Sequence, residues 1–150
     1  MINGVIIKEL KKYEDDRGYL IELYRRDEVD SGVAMSYLSL TLPGVARGPH
    51  EHIYQTDYFI FPGAGDFTLY LWDRREGSST KGEKIEMTVG ASYPCTVIVP
   101  PGVVHGYKCI SDGPALSINF PDKLYKGVAK SEEIDEIRWE KEANSPYKIA

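Results

Sequence analysis

An all-β fold, a sandwich or barrel of short strands, is what this sequence predicts, and three observations carry it. Short apolar runs recur along the chain, each closed off by Gly, Pro, Asp or Ser. Several alternate apolar and polar residues with period 2, the mark of a strand with two unlike faces. Helical patterning is scarce. At 150 residues, 42% of them hydrophobic, the chain can bury one proper core, so residues 1–150 are expected to form a single domain.

Taken in order, residues 4–11, with Val5, Ile6, Ile7 and Leu10, read as a first strand and 13–18 as a polar turn. In 19–25, Tyr19, Ile21 and Leu23 alternate with Leu20, Glu22 and Tyr24. In 34–42, Met35, Tyr37, Ser39 and Thr41 take one side, and Ser36, Leu38, Leu40 and Leu42 the other; the three leucines are expected to face the core. Further strands are expected at 57–61, 66–72, 84–89, 95–99, 104–110 and 114–120, a spacing that suits a sandwich or barrel. Ser131, followed by Glu132, Glu133, Asp135 and Glu136, suits a helix N-terminus, so a short C-terminal helical turn is expected there.

A net charge of −5 without basic runs argues against nucleic acid or an anionic membrane as partner. The N-terminal residues lack the basic and apolar regions of a signal peptide, and no apolar run approaches the roughly 20 residues of a span. A soluble, cytoplasmic protein is expected. Cys95 and Cys109 have no metal or redox spacing and read as buried thiols.

Two of the three histidines, His50 and His52, stand in an extended segment, where the period-2 alternation sends both imidazoles to one face. Asp57 lies an odd number of residues past His52, so a bulge or bend is needed to bring it inside. His105 follows the Pro100-Pro101-Gly102 turn. Three imidazoles and a carboxylate are thereby expected to share one cavity. That set suits zinc, manganese, iron, nickel or copper, and a metal there would polarise a carbonyl as a Lewis acid. The plainer alternative makes one histidine a base and the others hydrogen-bonded wall residues.

Gly44, His50, His52 and Asp57, followed by Pro100, Gly102 and His105, resemble the paired motifs of the cupin superfamily, which implies a jelly-roll barrel, the double-stranded β-helix. A narrower resemblance rests on four blocks in order: 16–22 (Asp-Arg-Gly-Tyr-Leu-Ile-Glu), 44–50 ending in Arg47-Gly48-Pro49-His50, 73–78 (Asp-Arg-Arg-Glu-Gly-Ser) and 101–107 around His105. These are similar to dTDP-4-dehydrorhamnose 3,5-epimerases, and Tyr125 and Ile137-Arg138-Trp139 continue the similarity. The resemblance implies that Arg17 and Arg47 bind a nucleotide diphosphate, as a guanidinium forking onto phosphate oxygens would. It makes His50 the general base that takes a proton beside the ketone of a 4-keto sugar. It sets Tyr125 near the nucleoside, and Glu22, His105 and Asn119 are counted with the substrate-binding residues.

The sequence also departs from that pattern. The aspartate that orients the family base is not found beyond Trp139, where only Asn144 stands; the tyrosine that protonates the opposite face should fall near Asn119; the enolate-stabilising lysine should fall near Asp57 or Tyr58. A carboxylate at Asp57 opposes an enolate, which a metal ion would remedy. The expected function is therefore epimerisation or isomerisation of a nucleotide-linked 4-keto-6-deoxy sugar in polysaccharide sugar biosynthesis. The resemblance implies no cofactor and a homodimer. Two alternatives stand beside it: a metal-dependent cupin enzyme, holding one divalent ion on His50, His52, Asp57 and His105 and acting on a small oxygenated substrate, and a sugar-binding cupin without turnover.

Overall fold

Two antiparallel five-stranded sheets and a separate hairpin organise the residues that the computed structural model describes, 1–29 and 32–150. The first sheet runs β1 (Ile6–Glu9), β9 (Cys95–Val99), β6 (Asp57–Phe61), β11 (Ala115–Asn119), β4 (Tyr37–Thr41). The second runs β12 (Ile137–Arg138), β5 (Ala46–Glu51), β10 (Val103–Cys109), β7 (Asp66–Asp73), β8 (Lys84–Gly90). The hairpin pairs β2 (Lys12–Asp15) with β3 (Gly18–Ile21) and joins neither sheet.

Alternation decides what lies between the sheets. Phe59 and Phe61 of β6, Cys95, Val97 and Val99 of β9, Phe67, Leu69 and Leu71 of β7, and Val103, Tyr107 and Cys109 of β10 form the main core. Phe61 and Phe67 are wholly buried, each stabilising the fold by about 1.5–3 kcal/mol relative to exposure. The odd-numbered partners in these strands point inward, so the intervening Tyr58, Ile60 and Ile98 face the other way. There they form a second cluster with Leu10, covered by Ile21, Leu23, Tyr24 and Phe120.

The two cysteines are free and buried, as expected. No helix of the described residues is long and apolar enough to cross a membrane.

Several expectations need correction. Leu38, Leu40 and Leu42 are 59%, 55% and 60% exposed, whereas Thr41 of the same strand is 2% exposed. It is the polar side of β4 that turns inward, because β4 pairs with β11 in a register that sets Tyr37 opposite Asn119 and Ser39 opposite Ser117, both on its inner face. The 13–18 turn is the hairpin β2–β3, and the strand expected at 19–25 stops at Ile21. Residues 131–136 form no helix; single 3-10 turns lie on either side, at Val128–Lys130 and Trp139–Lys141. Asp135 is engaged elsewhere: its carboxylate accepts the backbone N–H groups of Ile53, Tyr54 and Gln55 at 2.8, 2.9 and 2.9 Å. Those tertiary bonds outweigh a local capping preference.

Candidate active site

The open end of the sandwich holds a cavity of about 1300 Å³, walled by both sheets and covered by residues 121–140. His50 reaches it from β5, beside Arg47 of the same strand. Antiparallel pairing of β5 with β10 places His50 opposite His105, with their rings 4.5 Å apart in an edge-on arrangement. The pairing slips between His105 and Tyr107, where three steps on β5 match two on β10. Gly48 sits in that slip with φ of 81°, and a Cβ there would lie 2.7 Å from the His105 carbonyl oxygen and 3.0 Å from His50 Nδ1. Only a residue lacking a side chain lets the two histidine strands approach so closely.

His52 follows at the end of β5, and the chain then bends through 52–56 into β6. The bend brings Asp57 inside, where it is 1% exposed. Asp57 Oδ2 stands 3.2 Å from His52 Nε2 and 3.2 Å from His105 Nε2. Gln55 Nε2 and Asn119 Nδ2 donate to its Oδ1 at 2.8 and 2.7 Å. The outer nitrogens of both histidines are committed: His105 Nδ1 lies 3.0 Å from the Val103 carbonyl, and His52 Nδ1 meets the Asp135 carbonyl. Each Nε2 is thus turned toward the carboxylate, and Asp57 Oδ2 and His105 Nε2 have no hydrogen-bond partner of good geometry.

His50 and His52 titrate differently because their surroundings differ. Burial, then the neighbouring rings of His105 and His52, hold His50 well below its ordinary value, so it is a neutral base near pH 7. Burial also opposes charge on His52, but the adjacent Asp57 carboxylate outweighs it and raises His52 to about 9. Asp57, although buried, is kept well below the usual carboxylate range by His105 and His52. Nitrogens of the three histidines lie within 4.8 Å of one another, close enough for a shared cation.

His50, His52, His105 and Asp57 come together as the sequence predicts, with Arg47 and Tyr125 on the cavity wall. His105 and Asn119, counted as substrate-binding, are 2% and 1% exposed and stand behind the wall. Arg17 and Glu22 are not brought to the cavity within one chain. Arg17 lies on the hairpin turn with its side chain 85% exposed and paired to Asp15 at 2.5 Å, while Glu22 pairs with Arg25 at 3.1 Å.

Sequence reasoning missed three contributors. Tyr37 lines the cavity from β4; its sidedness in the alternation was legible, but the leucines were read as the inner face. Glu136 places Oε1 3.8 Å from His50 Nδ1 and pairs with Arg138 at 2.5 Å; it was hidden in an acidic run. Buried Glu51 accepts from Arg74 Nε at 2.7 Å and Trp139 Nε1 at 3.0 Å, pinning the segment that covers the cavity onto β5. Nothing in the local sequence marks Glu51 as buried.

Residues 1–144 match the family dTDP-4-dehydrorhamnose 3,5-epimerase. The probable low-salt glycan biosynthesis epimerase Agl13 of Haloferax volcanii is 39% identical over 127 residues, covering 83% of this chain and 81% of that protein. The spore coat polysaccharide biosynthesis protein SpsL of Bacillus subtilis is 36% identical over 143 residues, covering 95% and 93%. A dTDP sugar isomerase structure from Desulfovibrio desulfuricans G20 superposes with a TM-score of 0.85 at 25% identity, covering 98% of this chain and 91% of that one. The fold is the cupin-type jelly roll.

Proposed function

Because the chain belongs to the dTDP-4-dehydrorhamnose 3,5-epimerase family, we propose that it epimerises a nucleotide-linked 4-keto-6-deoxy sugar in polysaccharide sugar biosynthesis, with His50 as the base. The observation that carries this reading is an imidazole, set edge-on to His105, at the wall of a cavity of about 1300 Å³ that Arg47 also lines. A neutral imidazole takes a proton from carbon once an adjacent carbonyl has made it acidic. Glu136 stands where an orienting carboxylate is wanted, 3.8 Å from His50 Nδ1. Arg47, with Lys123, Lys126 and Lys130 of the covering segment, offers positive charge to a diphosphate. Tyr125, half exposed at the same rim, offers a face to a nucleoside base. Two buried free thiols accord with a reducing cytoplasm.

We also infer a homodimer. The β2–β3 hairpin joins neither sheet of its own chain, and the outer face of β4 exposes Leu38 and Leu40. A second copy lying over that face would cover them, and would give Arg17 and Glu22 a route to a neighbouring cavity.

The test is exchange. Incubated with a dTDP-4-keto-6-deoxy sugar in deuterated water, the protein is expected to wash deuterium into C3, C5 or both, and His50→Ala to abolish it. Absence of exchange in the wild type overturns the reading.

One observation favours a second reading. Two Nε2 atoms with their Nδ1 partners committed, facing an unpartnered carboxylate oxygen, form a donor set that a divalent cation fits. His52, His105 and Asp57 would hold it, with His50 beside them, and it would supply Lewis-acid polarisation of a carbonyl. A proton on His52 meets the same electrostatic need. Elemental analysis of the purified protein, with exchange measured before and after chelation, separates the two.

A further inference from the structure

Epimerisation, the reading this inference rests on, removes a proton from one face of a carbon and returns one to the other, so a base alone cannot complete it. From the two walls of the cavity we infer that Tyr37 is the catalytic acid that returns the proton, and that Asn119 positions it.

His50 belongs to β5 in one sheet and Tyr37 to β4 in the other, and both line the cavity. A sugar ring bound between them meets the imidazole on one face and the phenol on the opposite one. The phenol is also aimed. Asn119 is locked by donating Nδ2 to Asp57 Oδ1 at 2.7 Å and by accepting the Tyr58 backbone N–H at 3.0 Å. Its second Nδ2 hydrogen goes to Tyr37 Oη at 2.9 Å. Tyr37 is thus the acceptor in that bond, and its own hydrogen has no acceptor among the described residues. The hydrogen is free to point at a ligand.

The other cavity tyrosines do not offer this. Tyr107 is 3% exposed with its hydroxyl paired to Ser117 at 3.0 Å, and its ring is packed among Phe59, Phe61 and Phe67. Tyr54 and Tyr125 lie at the rim, 72% and 47% exposed, and their hydroxyls have no hydrogen-bond partner among the described residues, whereas that of Tyr37, a residue 43% exposed, is held by Asn119. Burial and the Asp57 charge hold the Tyr37 phenol above its ordinary value, so it stays protonated near neutrality.

In the step itself, a His50 nitrogen takes the carbon-bound proton, and the C–H electron pair becomes the C=C of an enolate whose oxygen carries the charge. That pair then forms a new C–H bond with the Tyr37 hydroxyl hydrogen on the far face, and the ketone re-forms. Imidazolium and phenolate remain, and water returns a proton from one to the other. No further reactant is consumed.

The experiment follows dTDP-4-keto-6-deoxyglucose by NMR in deuterated water, scoring deuterium incorporation and configuration separately. Tyr37→Phe is expected to lower inversion by about a hundredfold or more, while His50 continues to exchange the proton from its own face with retention. Inversion at the wild-type rate overturns the proposal, as does parallel loss of exchange and inversion in a variant that still binds dTDP. No exchange in the wild type instead sinks the epimerase reading and this inference with it. Should Tyr37→Phe fail to fold, difluorotyrosine at position 37 keeps the ring and hydroxyl but makes the phenol more acidic. It is expected to change the ratio of inversion to exchange; an unchanged ratio overturns the proposal.

Discussion

Arg47 is held in one orientation by bonds within the chain. Its Nε donates to Thr41 Oγ1 at 2.9 Å and its Nη2 to the Leu40 carbonyl at 3.1 Å, which fixes the guanidinium plane at the cavity wall. Little rotamer entropy would then be left to lose if it binds phosphate as proposed. Arg47→Ala is expected to weaken dTDP binding by about 1.5–3 kcal/mol, the range for hydrogen bonds to charged groups; titration calorimetry giving the wild-type affinity would remove Arg47 from that role. At this scale the sequence was most legible where chemistry and spacing coincide. His50, His52, His105 and Asp57 are scarce residue types at telling intervals, and they meet. Tyr37 is one tyrosine among 11, and only the partner strand reveals which way it points.

Elements were legible when they had an apolar face. β6, β7, β8 and β9 lie within a residue of their expected bounds because buried alternation and turn residues agree there. The hairpin strand β2 was read as a turn because all four of its residues are exposed. The helical turn expected at 131–136 failed for a different reason: capping is a local signal, and Asp135 bonds across more than 80 positions of sequence. The β7–β8 connection illustrates an element end that local polar bonds secure. Asp73, its side chain fully covered, receives Arg75 Nε at 2.8 Å, Ser78 Oγ at 2.6 Å and Thr80 Oγ1 at 2.6 Å. The Arg75 guanidinium foremost, with the two hydroxyls, holds its carboxyl well below the usual range. A depressed folded value stabilises the protein above the unfolded carboxylate value, about 3.9, and the contribution is lost as pH falls through the folded value. Asp73→Asn is expected to cost about 2–3 kcal/mol at pH 7 and to flatten the fall in stability on acidification below about pH 4. Denaturant midpoints across pH 3–7 check both; equal acid sensitivity in the two proteins would assign the effect elsewhere.

For the whole molecule, the misread leucines carry the prediction. Leu38 and Leu40 sit on an edge strand, next to Leu116 and Ile118 of β11 in register, and make an apolar stripe on the outer face of the first sheet. Exposed edge strands with apolar faces invite pairing. The alternation marked β4 as having an apolar face, but that face lies on the outside of the sheet, where the proposed second copy would cover it. Light scattering at micromolar concentration is expected to give a dimer, and Leu40→Glu a shift to monomer. A monomeric wild type contradicts it. His50 and Tyr37 stand on different sheets. Packed sheets lie about 10 Å apart, and here Phe59, Phe61, Phe67 and Val97 fill that gap. In the proposed mechanism the thickness of the core would therefore set how far a sugar carbon stands from each reacting group. Under that mechanism stereochemical fidelity is tied to packing: an interior methyl gained or lost between the sheets is expected to shift the separation of imidazole and phenol and with it the ratio of inversion to exchange.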